Sequence, residues 1–160
     1  MQDGIGSMCI QIVKELAHSA LHFSSYEVLM KFSARIHNDS SHHQVTLKVG
    51  EKEQAIPIAS KPTGGSIVSG GELLFLALAT CYCNDIYREA AKRDIKIRSV
   101  EVEVDGDFDA EGKPASNIVY RAKINADASE GQIRELMMHT DTVTEIQNTL
   151  RVGTPVKLEL

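Results

Sequence analysis

Ser69-Gly70-Gly71-Glu72-Leu73-Leu74-Phe75-Leu76-Ala77-Leu78-Ala79-Thr80-Cys81-Tyr82-Cys83-Asn84-Asp85-Ile86 is the stretch whose reading decides the fold. It opens as a capping box: the Ser69 hydroxyl is placed to accept an early helix N–H while Glu72 reaches back to the Ser69 backbone. From Leu73 to about Arg93 the pattern is helical, and its first half is apolar almost all round. A helix without an early polar face is predicted to lie buried at the centre of the fold. The second half acquires a polar side through Asp85, Arg88, Glu89 and Lys92.

Working outward toward the N-terminus, Lys61 to Gly71 is a glycine-rich loop. It lacks the Gly-x-x-x-x-Gly-Lys-[Ser/Thr] pattern that cradles phosphates, so no nucleotide cofactor is predicted. Before it, Tyr26, Val28, Met30, Phe32, Ala34 and Ile36 recur every second residue with Glu27, Lys31, Ser33 and Arg35 among the residues between them. That period predicts a half-buried antiparallel strand. Asn38-Asp39-Ser40-Ser41 is turn chemistry, followed by a strand through Val45, Leu47 and Val49, a turn at Gly50-Glu51-Lys52 and a short strand over Ala55–Ile58. Residues 8–22 carry a helical apolar period, which makes residues 1–24 an extra N-terminal helical segment.

Toward the C-terminus, Val100, Val102 and Val104 alternate with Glu101, Glu103 and Asp105, and a turn around Gly112 leads to a return strand over Ile118–Ala126. Helices are predicted over Ser129–Met138 and Asp141–Leu150, and Val156, Leu158 and Leu160 suggest a closing strand. Strands, helix, strands, helix and strand in that order predict an α+β fold with antiparallel sheets rather than a parallel Rossmann sheet. No repeat or linker interrupts residues 1–160, which read as a single domain.

Composition narrows the function classes. The formal charge of −5 and the lack of a concentrated basic patch exclude nucleic acid as the expected partner. Lys92, Arg93, Lys96 and Arg98 come closest to such a patch, but they spread over a helix end and a strand start. No apolar run approaches the roughly 18 residues of a membrane span, and the N-terminus has no signal-peptide pattern. Three cysteines, at positions 9, 81 and 83, form no disulfide framework. Free thiols predict a reducing, cytoplasmic setting.

Cys81 and Cys83 are the only nucleophile candidates with a plausible setting. At i and i+2 on a helix they point about 200° apart, which disfavours a disulfide between them. No second ligand pair accompanies them, so no zinc site is predicted. Read from composition alone, both are small core residues, since free cysteine is among the most buried types. His42-His43 reads as a solvated turn pair, and the histidines form no ligand set, so no metal is predicted. Arg88 follows Cys81 by seven residues, so the two share a helix face, and Asp85 with Arg88 is expected to shape the surroundings of Cys81.

Glu72 to Cys81, the following Asp85-Ile86, Ala90-Ala91-Lys92, Val100 to Val104, the glycine-rich loop and Thr149-Leu150 … Thr154-Pro155-Val156 together resemble the OsmC/Ohr family, over roughly residues 26–160. The resemblance implies an intertwined homodimer in which antiparallel sheets from both subunits wrap long, buried central helices. It also implies a stress-response protein that reduces organic hydroperoxides through a thiol at Cys81, which attacks the peroxide and becomes a sulfenic acid. A family arginine and glutamate that lower the thiol pKa would correspond to Arg35 and Glu72. The family's second, disulfide-forming cysteine would fall near Thr144, yet no cysteine follows Cys83. Glu72 stands nine residues before Cys81, about 180° round an ideal helix, which suits the cap better than catalysis. The alternative implied by these departures is a non-catalytic protein of the same fold that binds a small apolar or thiol-bearing ligand at the dimer interface.

Overall fold

A computed structural model describes residues 30–160, which divide into two compact units. The helix read over residues 8–22, Cys9 and the start of the first strand lie outside the described residues.

The smaller unit contains a three-stranded sheet in the order β1 (Phe32–Asn38), β2 (His43–Val49), β3 (Lys52–Ile56). β2 and β3 are antiparallel, with Thr46 opposite Ala55 and Lys48 opposite Glu53. Gly50, at φ +56°, makes the turn between them, a conformation that only glycine adopts freely. The alternation read from sequence is present in β1, but the strand is not half-buried: all seven residues are exposed, including Phe32 and Ile36. Among the described residues nothing covers its apolar side. Its polar side, with Ser33, Arg35 and His37, borders a cleft of about 360 Å³ that Gln44, Thr46, Lys48 and Glu53 also line.

The larger unit is built on α1 (Gly70–Ala91). The capping box forms as read: Glu72 N–H donates to Ser69 Oγ at 3.2 Å, and Ser69 N–H donates to Glu72 Oε2 at 2.7 Å. Against α1 packs a hairpin of β4 (Ile97–Asp107) and β5 (Ser116–Ala126). Its register sets Val100 opposite Ile124, Val102 opposite Ala122 and Val104 opposite Tyr120, one apolar row. The intervening Glu101, Glu103 and Asp105 face Lys123, Arg121 and Val119, and Lys123 pairs with Glu101 at 3.3 Å. Gly106 permits the close approach of β4 to α1, since a Cβ there would sit 2.7 Å from the Phe75 ring.

Helices α2 (Glu130–Val143) and α3 (Glu145–Arg151) complete the unit. Ser129 and Gln132 form a second capping box. The sequence reading placed one helix over Asp141–Leu150; instead α2 runs on to Val143 and the chain breaks at Thr144, whose ψ is 115°. Thr142-Val143-Thr144 is a β-branched run, which weakens the helix there. α3 ends in a Schellman motif: Thr154 N–H donates to Thr149 O and Gly153 N–H to Leu150 O, with Gly153 at φ +64°.

Two further expectations are corrected. Residues 154–160 form no strand, and Val156, Leu158 and Leu160 are exposed, because no strand among the described residues pairs with them. Burial along α1 is also displaced. The core consists of Tyr82, Ile86 and Ala90 from its second half and Leu136 from α2, packed on the hairpin's Val100, Val102 and Ala122. The apolar first half is only partly covered. Among the described residues, no helix is long and apolar enough to cross a membrane.

Candidate redox site

Residues 81, 85, 88, 89 and 92 lie at three- and four-residue spacings along α1, so one side of the helix carries a thiol, two carboxylates and two cations. This is the polar side expected for the second half of the helix. Asp85 is only 4% exposed and Glu89 2%. Their burial is tolerated because both carboxylates are paired. Glu89 accepts from Arg88 Nε at 3.1 Å and Lys92 Nζ at 2.7 Å, and its other oxygen lies 3.2 Å from His139 Nε2 on α2. With the Lys92 and Arg88 hydrogen bonds as the main causes, its pKa falls to about 2.

The break at Thr144 positions the rest of the site. Because α2 stops there and α3 starts at Glu145, the Glu145 carboxylate meets Cys81. Cys81 Sγ lies 3.6 Å from Asp85 Oδ2 and 3.7 Å from Glu145 Oε2, and the thiol donates toward both. Arg88 Nη1 joins the two acids from the far side, at 2.8 Å from Asp85 Oδ1 and 3.3 Å from Glu145 Oε1. Gln147 anchors α3 by donating from Nε2 to the Leu78 carbonyl at 3.0 Å, while its buried Oε1 lacks a hydrogen-bond partner.

Burial is the main cause that pushes the Cys81 thiol above its ordinary pKa; the Ile146 backbone N–H opposes it, and the charges of Asp85 and Glu145 raise it further. The Asp85 carboxyl is also raised, by burial first and then by Glu145, with Arg88 acting against the shift. Glu145 moves the other way, held low chiefly by its own backbone N–H and also by Arg88. The resting thiol is therefore protonated near neutral pH, with acceptors for its proton within reach.

Cys81 stands as read, on α1 and partly buried. Arg35 lies on β1 in the smaller unit. Glu72 bonds to Ser69, in the cap. Asp85 and Arg88 do shape the surroundings of Cys81, as their spacing suggested. Cys83 lines a separate small cleft with Ala79, Thr80, Asn84 and Val102. Glu145 was missed, although it adjoins Thr144, the position singled out for a second cysteine; a carboxylate there carries no motif of its own. His43 departs from a solvated turn residue: its ring nitrogens lie 3.1 Å from Asn38 Nδ2 and 3.0 Å from Ser66 Oγ, which ties the turn to the glycine-rich loop.

A hairpin packed on a helix that presents a thiol between two acids defines an α+β protein with a candidate redox site. The chain belongs to the OsmC-like protein family, which it matches over residues 63–159. Among solved structures it is similar to an OsmC-like protein from Mycoplasma pneumoniae, with a TM-score of 0.54 and 19% identity over 76% of this chain and 89% of that one. It is also similar to an organic hydroperoxide resistance protein OsmC from Legionella pneumophila (TM-score 0.53, 15% identity, 78% and 92% covered). A third is an OsmC-like hydroperoxide resistance protein from Jannaschia sp. (TM-score 0.50, 12% identity, 82% and 92% covered). At these identities the likeness establishes the fold. No curated protein matches the sequence.

Proposed function

We propose that this protein is a thiol-dependent reductase of organic hydroperoxides that works as a homodimer and uses Cys81 as its reacting group. The observation that carries the reading is the Cys81 sulfur, held 3.6 Å and 3.7 Å from two carboxylates at the meeting of α1 and α3. Family membership and the hydroperoxide-resistance names of two similar structures point the same way. Arg35 is the cation assigned to the reacting thiolate, and Glu72 contributes by fixing the start of α1. With no cysteine after Cys83, the sulfenic acid is returned to a thiol by an external thiol. The homodimer reading draws on the uncovered apolar residues Leu76, Ile67 and Phe108.

The test is peroxide treatment of the wild type, Cys81→Ser and Cys83→Ser, read by intact mass and peptide mapping. Oxygen uptake at Cys81 that persists in Cys83→Ser and vanishes in Cys81→Ser is the expected result, and Arg35→Ala should slow it. The raised thiol pKa favours the second reading, a non-catalytic protein that binds a small apolar or thiol-bearing ligand at the dimer interface. Folded protein whose Cys81 stays unoxidised under excess organic hydroperoxide establishes that second reading over the first.

A further inference from the structure

We propose that Asp85 is the proton-transfer residue of the Cys81 reaction, taking the proton from the thiol and giving it to the departing alkoxide. This assignment rests on the peroxidase reading and adds a residue that the sequence pattern did not name as catalytic. Its basis is geometric. Asp85 Oδ2 lies 3.6 Å from Cys81 Sγ, close enough to accept from an S–H donor. The other oxygen, Oδ1, is held by Arg88 Nη1 at 2.8 Å, so the carboxylate is pinned with Oδ2 turned toward the sulfur. The Asp85 side chain is 6% exposed, which limits competition from water.

Glu145 is the rival, since its Oε2 lies 3.7 Å from the same sulfur. Its side chain is 66% exposed, however, and it shares the single Arg88 nitrogen that holds Asp85. The groups facing the thiol are Asp85 from α1 and Glu145 and the Ile146 N–H from α3, with Arg88 behind both acids. Their environments push the two carboxyls apart, Asp85 upward and Glu145 downward. In a pair so divided, the raised member takes up a transferred proton more readily, and the lowered member remains charged.

The step balances without a further reagent. The Cys81 proton passes to Asp85 Oδ2, and the sulfur attacks the terminal oxygen of the hydroperoxide. An S–O bond forms as the O–O bond breaks, and the O–O electron pair leaves on the alkoxide oxygen. That oxygen takes the proton from Asp85, giving an alcohol, a sulfenic acid and an ionised Asp85. Sulfur is oxidised by two electrons and the peroxide reduced by two.

Two reactions of the same sulfur separate this role from a passive charge. Alkylation by iodoacetamide needs a thiolate but no proton donor, since iodide leaves unprotonated. Oxidation by tert-butyl hydroperoxide needs both. In Asp85→Asn at pH 7, oxidation is expected to slow by on the order of 100-fold, a usual acid–base contribution, while alkylation does not slow. Equal changes in both rates, or faster oxidation as a nearby negative charge is removed, would overturn the assignment. The wild type supplies an independent measurement that does not depend on the variant's folding. Its oxidation should carry a larger solvent deuterium isotope effect than its alkylation, and equal effects would again overturn the assignment. Wild-type Cys81 that takes up no oxygen at all would remove the peroxidase reading itself, an outcome distinct from normal oxidation in Asp85→Asn.

Discussion

The two halves of α1 each hold a residue type that its surroundings do not obviously suit. Leu76, in the apolar half, is 59% exposed, whereas Asp85 and Glu89, in the polar half, are nearly sealed. Burial here follows what packs on the helix rather than the polarity of its residues. The β4–β5 hairpin, α2 and α3 all contact α1, and the core they share is centred on Tyr82, Ile86 and Ala90. The acids survive burial there because Arg88, Lys92, Arg93 and His139 surround them. Leu76 awaits cover, which the proposed second subunit would supply.

The sharpest way to break this comparison is to truncate one aliphatic residue in each half. Ile86 has no exposed surface, so Ile86→Ala is expected to cost about 2–5 kcal/mol in denaturant unfolding. Leu76→Ala should stay within about 0.5 kcal/mol for the isolated chain, as exposed positions usually do. A Leu76→Ala loss that depends on protein concentration would locate the missing cover in self-association. Equal, concentration-independent losses at both positions would end the contrast. The next effect lies in the first half, where Gly106 faces the Phe75 ring. Gly106→Ala is expected to cost about 1–3 kcal/mol through overpacking, and Phe75→Leu in the same chain should recover part of it.

The buried acids of the second half supply a pH test. Glu89 titrates near 2 in the folded chain, against an ordinary value of 4.5. A depressed carboxylate pKa contributes stability that is complete above about 4.5 and is lost as the pH falls toward 2. Wild-type stability should therefore decline through that window, and the gap between wild type and Glu89→Gln should narrow over the same range in pH-dependent thermal unfolding. A constant gap would mean that the cations around Glu89 contribute no differential pairing.

How much of this was legible beforehand differs by kind of feature. Local rules carried the capping box at Ser69, the hairpin with its apolar row at Val100, Val102 and Val104, and the helix that bears Cys81. Each is decided by residues close together in the chain. The burial of Glu89 was not legible, because it depends on His139, fifty residues away. Glu145 reaches Cys81 across 64 residues and only because the chain breaks at Thr144. A strand alternation likewise announces an apolar face at Phe32 and Ile36 without saying whether anything covers it.

The smallest effect concerns where α1 begins and tests what Glu72 is for. Its pKa is lowered chiefly by the Ser69 side chain and then by the Ser69 backbone, both part of the cap. Glutamine serves a capping box as glutamate does, since it too offers an oxygen to the N-cap backbone. Ser69→Ala is expected to cost about 1 kcal/mol. Glu72→Ala should cost less, and Glu72→Gln should leave the unfolding midpoint where it is. The same three variants speak to the Cys81 chemistry. A carboxylate that acts only through the helix start leaves the oxidation rate of Cys81 in Glu72→Gln at the wild-type value. If Glu72→Gln unfolds normally yet oxidises markedly more slowly, the negative charge itself reaches the thiol. Glu72 then belongs among the groups that act on Cys81, and the cap is only one of its two roles.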